Sequence, residues 1–400
     1  MLRSIFYSLA LPPGTLNRDL KLLFLSNFIG AVGDGLYAYV LPIYILSLGA
    51  SSADVGFLFS VFILSTALTI IPGGFLADRY DRKTVMILGW LLWVPVPLIF
   101  SAATHWTQLA PVMALYGFFM SGPATCAYVV TYARKDRITL TYTLISASWW
   151  SGYIFSPGLG GYISTILGMR SVFLLSFILY AVATAVLFLV RSQRAQKPST
   201  AQETRSNANS PHVRSIILMS VFFALVFFFL NLVRPLVVQF FQDVYFLDQF
   251  TIGLLGSAVF LGSAIFSILL GKAGDKSGRA VAIVVALLIG SFSFGLFLCF
   301  NNVYALGIAS FLNGASYMLW SLMGASVGST APEASRGRWI SLAQMSATLA
   351  ATAAPYIGGV LYEGSRHLPF YIVVAALPLL CVLPLMKSFR EKQARKETLS

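Results

Sequence analysis

The chain has 400 residues, of which 58% are hydrophobic and only 10% are charged. Soluble proteins carry about 25% charged residues, so this composition excludes a protein whose surface is covered mainly by water. The net charge of +13 does not indicate nucleic-acid binding, because the Lys and Arg residues form short clusters between apolar runs. Clusters of this kind are typical of the cytoplasmic loops of membrane proteins.

Twelve apolar runs follow one another along the chain, and each approaches the roughly 20 residues that a helix needs to cross a bilayer. They lie near residues 22–47, 53–77, 84–104, 108–131, 140–166, 171–191, 213–241, 249–273, 279–300, 303–329, 336–362 and 369–387. The sequence therefore predicts an all-α membrane protein with twelve transmembrane helices in two pseudo-symmetric six-helix bundles. We expect the bundles to comprise residues 1–190 and 215–400, joined by a polar cytoplasmic linker at 191–214.

The distribution of basic residues predicts the orientation. If the twelve runs alternate in direction, 24 of the 27 Lys and Arg residues lie on one side, Arg170 and Arg366 lie on the other, and Arg234 lies within a helix. Basic loops are retained in the cytoplasm, so we expect both termini there, in a multi-pass protein of the plasma membrane. The apolar stretch before Arg18 is predicted to rest on the membrane surface.

The two halves repeat at an offset of 197 residues. The paired positions are Gly56 and Gly253, Gly117 and Gly314, and Asp78 and Asp275. With one more residue of offset, SPGLGGYI at 156–163 matches APYIGGVL at 354–361. Two similar six-helix halves are typical of secondary transporters, which bind their substrate between the halves near the middle of the membrane.

The loop after the second helix carries the most specific motif. It consists of Gly74, Leu76, Ala77, Asp78, Arg79, Arg82 and Lys83, and a degenerate copy in the second half consists of Gly271, Asp275, Lys276, Gly278 and Arg279. The motif resembles the cytoplasmic loop signature of the major facilitator superfamily. The resemblance implies a latch that holds the halves in the outward-facing state, formed by Gly74, Asp78, Arg79, Arg82, Lys83, Asp275 and Arg279. Asp81 stands where that family usually has Gly; an ordinary basic loop is the alternative interpretation.

The fifth helix carries a second resemblance, to the glycine- and proline-rich signature of antiporters in the same superfamily. Its residues are Gly152, Ser156, Pro157, Gly160 and Gly161, with Ser156 in place of one Gly, and Pro355, Gly358 and Gly359 repeat the pattern. We expect a hinge at Gly152, Pro157, Gly160, Gly161, Pro355, Gly358 and Gly359; close helix packing is the alternative. The fourth helix departs from proton-coupled drug exporters, because PVMALYGFFMSGPATCAYVV lacks their Arg.

Two charged residues lie inside predicted helices, away from the loops and motifs: Asp34 in the first and Arg234 in the seventh. Each costs about 2.5–3.5 kcal/mol at mid-membrane, so such residues usually face a cavity and have a partner. In the resembling family these two helices face each other. Three interpretations stay open. In the first, Asp34 exchanges a proton and Arg234 tunes the pKa of Asp34. In the second, Arg234 holds a substrate carboxylate or phosphate, and in the third the two form a structural clasp or Arg234 snorkels to the membrane surface.

A mixed aromatic and polar pocket would need further side chains near these charges. The candidates for substrate binding are Arg234, Tyr37, Asn231, Gln239, Asn313, Tyr317 and Trp320. Asn313, Tyr317 and Trp320 have the spacing of one face of a single helix. Ordinary helix packing explains each candidate equally well.

Other chemistries are not supported by the sequence. The three cysteines lie far apart within apolar stretches, and the three histidines form no ligand cluster, so we expect no metal and no cofactor. GKAGDKSG lacks the spacing of a phosphate-binding loop, and no enzyme motif is present. We predict a monomeric secondary transporter that exports a small organic molecule, with protons as the coupling ion. The alternatives are an organic-anion carrier and, from another class, a non-transporting receptor or scaffold.

Overall fold

The computed structural model describes residues 16–133, 138–193, 211–331 and 336–384, and within these ranges every regular element is a helix. We call residues 16–193 the first half and residues 211–384 the second half. The predicted surface segment before Arg18 and most of the predicted linker lie outside the described residues. So do the basic residues of the C-terminal tail.

The described part of the first half contains nine α-helices. They are α1 (Arg18–Ala38), α2 (Leu41–Ser47), α3 (Ser52–Arg79), α4 (Arg82–Trp93), α5 (Pro95–Ala102), α6 (Leu109–Tyr116), α7 (Ser121–Tyr132), α8 (Ile138–Leu167) and α9 (Met169–Phe188). A short 3-10 turn, Trp106–Gln108, precedes α6.

The described part of the second half contains eight. They are α10 (Pro211–Tyr245), α11 (Gln249–Ser277), α12 (Arg279–Cys299), α13 (Val303–Tyr317), α14 (Leu319–Thr330), α15 (Arg336–Ala350), α16 (Ala354–Gly364) and α17 (Leu368–Leu380).

Seven helical stretches in the described residues are long and apolar enough to cross a membrane, and α1 with α2, bent by 43°, would make an eighth span. The fold is therefore that of an all-α membrane protein. The predicted runs coincide with helical stretches, but several stretches are broken, for example before Pro95 and at Met318. The total of twelve spans stays a prediction.

Helix starts repeat between the halves. Helices α3 and α4 and the turn before α6 begin at residues 52, 82 and 106; adding 197 to each gives 249, 279 and 303, where α11, α12 and α13 begin. Polar caps fix several of these starts: the side chains of Ser51 and Asp248 each accept a hydrogen bond from a backbone N–H in the first turn that follows.

Packing repeats as well. A methyl group added to Gly117 would overlap the carbonyl oxygen of Phe62, and one added to Gly314 would crowd the carbonyl oxygen of Val259, where 62 plus 197 is 259. The same helix-to-helix approach therefore occurs in both halves, and at each site only a glycine lets the backbones come so close.

The most extensive contacts between the halves are those of two helix pairs, α3 with α16 and α8 with α11. A methyl group added to any of four glycines would overlap a backbone carbonyl oxygen of the other half. The pairs are Gly56 with Pro355, Gly359 with Ser52, Gly253 with Pro157, and Gly161 with Gln249. These contacts all lie toward the end of the bundle at which α3 and α11 begin. We call it the opposite end, because it lies opposite the basic loops that follow α3 and α11.

A polar network also joins the halves at the opposite end. Gln239 Nε2 donates to Ser52 Oγ at 2.7 Å, and the backbone N–H of Ala53 donates to Glu363 Oε1 at 2.9 Å. Tyr362 donates to Asp243 Oδ2 at 3.1 Å within the second half. The other end, where α3 and α11 finish near Arg79 and Lys276, we call the basic end. There a methyl group on Gly74 or Gly271 would meet no described atom within 4 Å.

The glycine contacts predict the effect of adding a methyl group at the opposite end. Gly161→Ala and Gly359→Ala should each force the halves apart there, because the overlapped atoms belong to the backbone; overpacking of this kind costs about 1–3 kcal/mol. Spin labels at exposed Thr104 and Ser365, in a background without native cysteines, measure the separation of the halves at this end.

The expected result is a longer interlabel distance in both variants. Gly295→Ala is the matched control, because a methyl group there meets no described atom within 4 Å. Unchanged distances in Gly161→Ala and Gly359→Ala would show that these contacts do not hold the opposite end closed.

Candidate functional site

Asp34 is buried on α1, with 5% of its surface exposed, and three tyrosines from three other helices hold its carboxylate. Tyr116 of α6 and Tyr180 of α9 donate to Oδ1 at 2.6 and 2.5 Å. Tyr153 of α8 donates to Oδ2. Each carboxylate oxygen therefore has a hydrogen-bond donor, which is the condition for burying such a group at tolerable cost.

Small residues on α1 let the surrounding helices come this close. A methyl group on Gly35 would overlap the hydroxyl oxygen of Ser156, and one on Gly33 would lie 3.1 Å from Leu179 Cβ. The serine that replaces a glycine in the antiporter-like signature thus fills the space beside Gly35. The two glycines next to Asp34 are required for packing, and α1 continues through them without a break.

Tyr37 supports this group of tyrosines from within the core of the first half. Its hydroxyl lies 3.2 Å from that of Tyr180, and its ring packs against Phe100, Tyr116 and Phe173. No part of Tyr37 is exposed. Its contact with substrate stays a prediction; in this structure a ligand would have to displace core side chains to reach it.

Arg234 is half-buried on α10, and its guanidinium carbon lies 4.4 Å from the centroid of the Tyr317 ring on α13. A cation over an aromatic face is stabilised by the negative potential of the ring. Its Nε is buried without a hydrogen-bond acceptor among the described residues. The side chain is thus placed by an aromatic ring and retains capacity to bind an anionic group.

The structure does not bring Asp34 and Arg234 into an ion pair. The hydrogen bonds to Asp34 come from tyrosines, and the partner of Arg234 is Tyr317. What joins them is a row of three rings. Tyr153 packs on Phe260 of α11 with centroids 4.7 Å apart, and Phe260 packs on Tyr317 at 5.7 Å. We call Tyr153, Phe260 and Tyr317 the aromatic bridge.

The remaining substrate candidates lie in different places. The Asn231 amide donates to the Phe227 carbonyl of its own helix, one turn before Arg234. Asn313 is buried one turn before Tyr317, with its side-chain nitrogen unpaired within the described chain. Trp320 is separated from them by the break at Met318, and its ring packs edge-on against Phe227.

Gln239 does not belong to this region. It is buried at the opposite end, where its amide donates to Ser52 and Asp243. It takes part in the contact between the halves, and its role in substrate binding stays a prediction. Sequence spacing on α10 could not reveal the contact between the halves, because Ser52 comes from a distant part of the chain.

The motif loop is tied to its own half. Arg82 donates to the Ala127 carbonyl at 3.1 Å and to Gln193 Oε1 at 3.0 Å, and Lys83 donates to the Phe188 carbonyl at 2.8 Å. Arg79 lies over the ring of Phe75. Asp78, Asp275 and Arg279 are exposed, and no ion pair within the described ranges joins them to the other half.

Asp81, the residue that departs from the family signature, has a local function. It caps α4 by accepting from Thr84, and it accepts from the side chain of Ser192 and the backbone of Gln193. Partial burial raises the pKa of Asp81, but the hydrogen bonds from Ser192, Thr84 and Gln193 outweigh burial and hold the pKa below its usual value. The Asp81 carboxylate therefore connects the loop to the residues that follow α9.

The antiporter-like signature is a set of close contacts. Gly152 packs against Ala31, and Gly160 lies against the Leu36 carbonyl, both on α1. Gly358 makes the equivalent contact with Leu232 on α10. Helix α8 runs unbroken through Pro157, whereas Pro355 lies in the first turn of α16, after a break at 351–353. A hinge at these positions stays a prediction; the close packing is observed.

Sequence reasoning missed the tyrosines that hold Asp34, and it missed Phe260. A tyrosine in an apolar helix needs a partner for its hydroxyl, and Tyr116, Tyr153 and Tyr180 each satisfied that description. The sequence could not show that they converge on one carboxylate, because they lie 82 to 146 residues from Asp34 along the chain. For metals, the described part of the chain brings no three His, Cys, Asp or Glu residues together in a way that could hold an ion.

The chain is similar to known transporters. The model of the Major Facilitator Superfamily matches residues 23–245 and 216–400. The multi-drug resistance efflux pump PmrA of Streptococcus pneumoniae is 24% identical over 385 residues, covering 92% of this chain and 96% of the relative. The quinolone resistance protein NorA of Staphylococcus aureus is 26% identical over 153 residues, covering 38% and 39%. A solved POT family transporter in complex with 5-aminolevulinic acid superimposes with a TM-score of 0.78 at 16% identity, covering 95% and 98%.

Proposed function

The chain belongs to the Major Facilitator Superfamily, and from this premise we propose that it exports aromatic organic compounds in exchange for protons. It is a membrane transporter and not an enzyme. The observation that carries the proposal is the buried Asp34 carboxylate, held by neutral phenol groups and linked by the aromatic bridge to Arg234.

The proposed topology has twelve spans in two six-helix bundles, residues 1–190 and 215–400, with both termini and the linker in the cytoplasm. The helix starts that repeat at an offset of 197 and the repeated glycine contacts support two related halves. The excess of basic residues at the basic end supports its cytoplasmic location in the plasma membrane. The functional unit is proposed to be the monomer, because each half supplies one of the two membrane charges.

With this orientation we infer an inward-facing state. Backbone contacts close the opposite end, which would face outward, while Asp78 and Asp275 are exposed at the basic end. The proposed latch around Gly74, Asp78, Arg79, Arg82, Lys83, Asp275 and Arg279 would then close when the halves rock together at the basic end. Arg82 and Lys83 would hold the loop in place for it, since both are fastened to the first half.

Asp34 is the proposed proton site. Its donors are neutral, so it can gain or lose a proton without breaking an ion pair. Charged groups inside membrane helices commonly mark such sites. In a proton-coupled exporter the carboxyl would be protonated from outside and deprotonated toward the cytoplasm, and the charge on Asp34 would change with the orientation of the halves.

The proposed substrate region lies around the aromatic bridge. Tyr317 and Trp149 are partly exposed and Trp150 is exposed, so their rings offer aromatic faces next to the enclosed rings of Tyr153 and Phe260. Planar aromatic compounds pack well on such surfaces. Relatives are named for multi-drug and quinolone resistance, which fits compounds of this class.

Loss of the Asp34 charge should separate proton coupling from substrate movement. In vesicles whose lumen is more acidic than the buffer, the wild type should accumulate ethidium, norfloxacin or tetraphenylphosphonium, with membrane potential clamped. Asp34→Asn should abolish this accumulation while exchange against preloaded substrate continues. Asp248→Asn is the control, because Asp248 is exposed and Asn caps a helix equally well. Loss of both accumulation and exchange in Asp34→Asn would count against a proton site.

Transport of an organic anion is the second candidate, favoured by the unpaired Nε of Arg234. Norfloxacin carries a carboxylate, and a ligand at a hundred times its dissociation constant raises stability by about 2.7 kcal/mol. Thermal unfolding in detergent should show stabilisation by norfloxacin that is partly kept in Arg234→Lys and nearly lost in Arg234→Gln. Equal behaviour of the two variants would indicate a packing role for Arg234.

A further inference from the structure

We propose that Tyr153 is the residue that transmits the protonation state of Asp34 from the first half to the second. It does so by its hydroxyl, which donates to Asp34, and by its ring, which packs on Phe260. The proposal rests on the proposed function, in which Asp34 exchanges the proton. It assigns a positioning role to a side chain in the fifth apolar run, beside the glycine signature.

The two oxygens of Asp34 are not equivalent. Oδ1 accepts hydrogen bonds from Tyr116 and from Tyr180, whereas Oδ2 accepts only from Tyr153 among the described residues. A protonated carboxyl keeps one oxygen as an acceptor and turns the other into an O–H donor. Oδ1, with two donors, is suited to remain the acceptor, so the added proton belongs on Oδ2.

Protonation at Oδ2 changes what Tyr153 must do. One proton from water converts the carboxylate into a carboxyl group, and the new O–H lies on the line to the Tyr153 hydroxyl. Two hydrogens cannot occupy the space between these two oxygens. The Tyr153 hydroxyl must therefore turn its own hydrogen away and accept, or the side chain must move, while Tyr116 and Tyr180 keep their hydrogen bonds.

Among the three donors, Tyr153 is the one whose ring packs against a ring of the other half. The ring contacts of Tyr116 are with Tyr37, Phe62 and Phe100, and that of Tyr180 is with Trp90, all in the first half. Tyr153 and Phe260 are 8% and 7% exposed, so both rings are enclosed. A shift of an enclosed ring is passed to its neighbours, because packed interiors leave little free space.

The transmitted change reaches the substrate region. Phe260 packs on Tyr317, and Tyr317 carries Arg234 on its face. The titratable groups that face Asp34 are tyrosines: Tyr116 from α6, Tyr153 from α8, Tyr180 from α9 and Tyr37 from α1 itself. No described Lys, Arg or His forms an ion pair with it. The aromatic bridge is thus the direct route between the two membrane charges.

The test measures how pH moves the halves. Spin labels at Tyr80→Cys and Ser277→Cys, both exposed at the basic end and in different halves, report their separation in the full chain after Cys126, Cys299 and Cys381 are replaced. The parent should switch between two distance populations as pH changes. Tyr153→Phe keeps the ring and removes the hydroxyl, and it should reduce the amplitude of this switch to less than half.

Tyr180→Phe is the matched control, because it also removes one donor from Asp34, but Tyr180 has no ring contact with the described residues of the second half. It should shift the midpoint of the pH curve and keep the amplitude. Phe260→Leu should keep the midpoint, since all donors to Asp34 remain, and lose amplitude. If Tyr153→Phe shifts the midpoint with full amplitude, as Tyr180→Phe does, Tyr153 is only a donor and the proposal is overturned.

Failure of the proposed function has a different signature. A pH-dependent switch that persists in Asp34→Asn would place the proton site elsewhere, and a parent without any switch would remove proton-driven rocking altogether. Either result overturns the role of Tyr153 as well. Loss of amplitude in Tyr153→Phe and Phe260→Leu, with the switch abolished in Asp34→Asn, supports both.

Discussion

A carboxylate buried in a membrane protein needs hydrogen bonds to both oxygens, and the packing of the first half follows from meeting that need at Asp34. The donors come from α6, α8 and α9, so four helices converge on one side chain. The convergence requires close approach, which explains why Gly33 and Gly35 flank Asp34 and why Ser156 fits against α1. Because the donors are neutral, the proton uptake that we propose at Asp34 would break no ion pair.

The relation between the halves depends on glycines for a different reason. Gly160 and Gly358 bring α8 and α16 against the first long helix of their own half, while the adjacent Gly161 and Gly359 let the same helices meet the other half. In each pair of adjacent glycines, one residue therefore allows packing within a half and the other allows contact between the halves. This arrangement closes the opposite end by backbone contact, with the basic end left to the motif loops.

Much of the fold was predictable from local sequence, because apolar runs, caps and repeat spacing act within one helix or its immediate neighbours. The repeat at an offset of 197 predicted that Gly117 corresponds to Gly314 and Gly56 to Gly253. In the structure the two members of each pair make equivalent close contacts with backbone carbonyl oxygens. The site was less predictable. Asp34 and Arg234 were recognised as costly charges, but their partners are tyrosines from distant positions, and Gln239 and Tyr37 have roles that helix spacing alone could not reveal.

The central claim is that Asp34 takes up a proton and that Tyr153 responds to it. Infrared difference spectroscopy of the protein in lipid, recorded on acidification, measures both groups at once. We expect the wild-type difference spectrum to contain a protonated-carboxyl C=O component, beyond those of the other Asp and Glu residues, that is lost in Asp34→Asn. We also expect a tyrosine ring-mode component that is lost in Tyr153→Phe and retained in Tyr180→Phe. Spectra in which Asp34→Asn loses no carboxyl component, or Tyr153→Phe loses no tyrosine component, relative to the wild type would contradict this expectation.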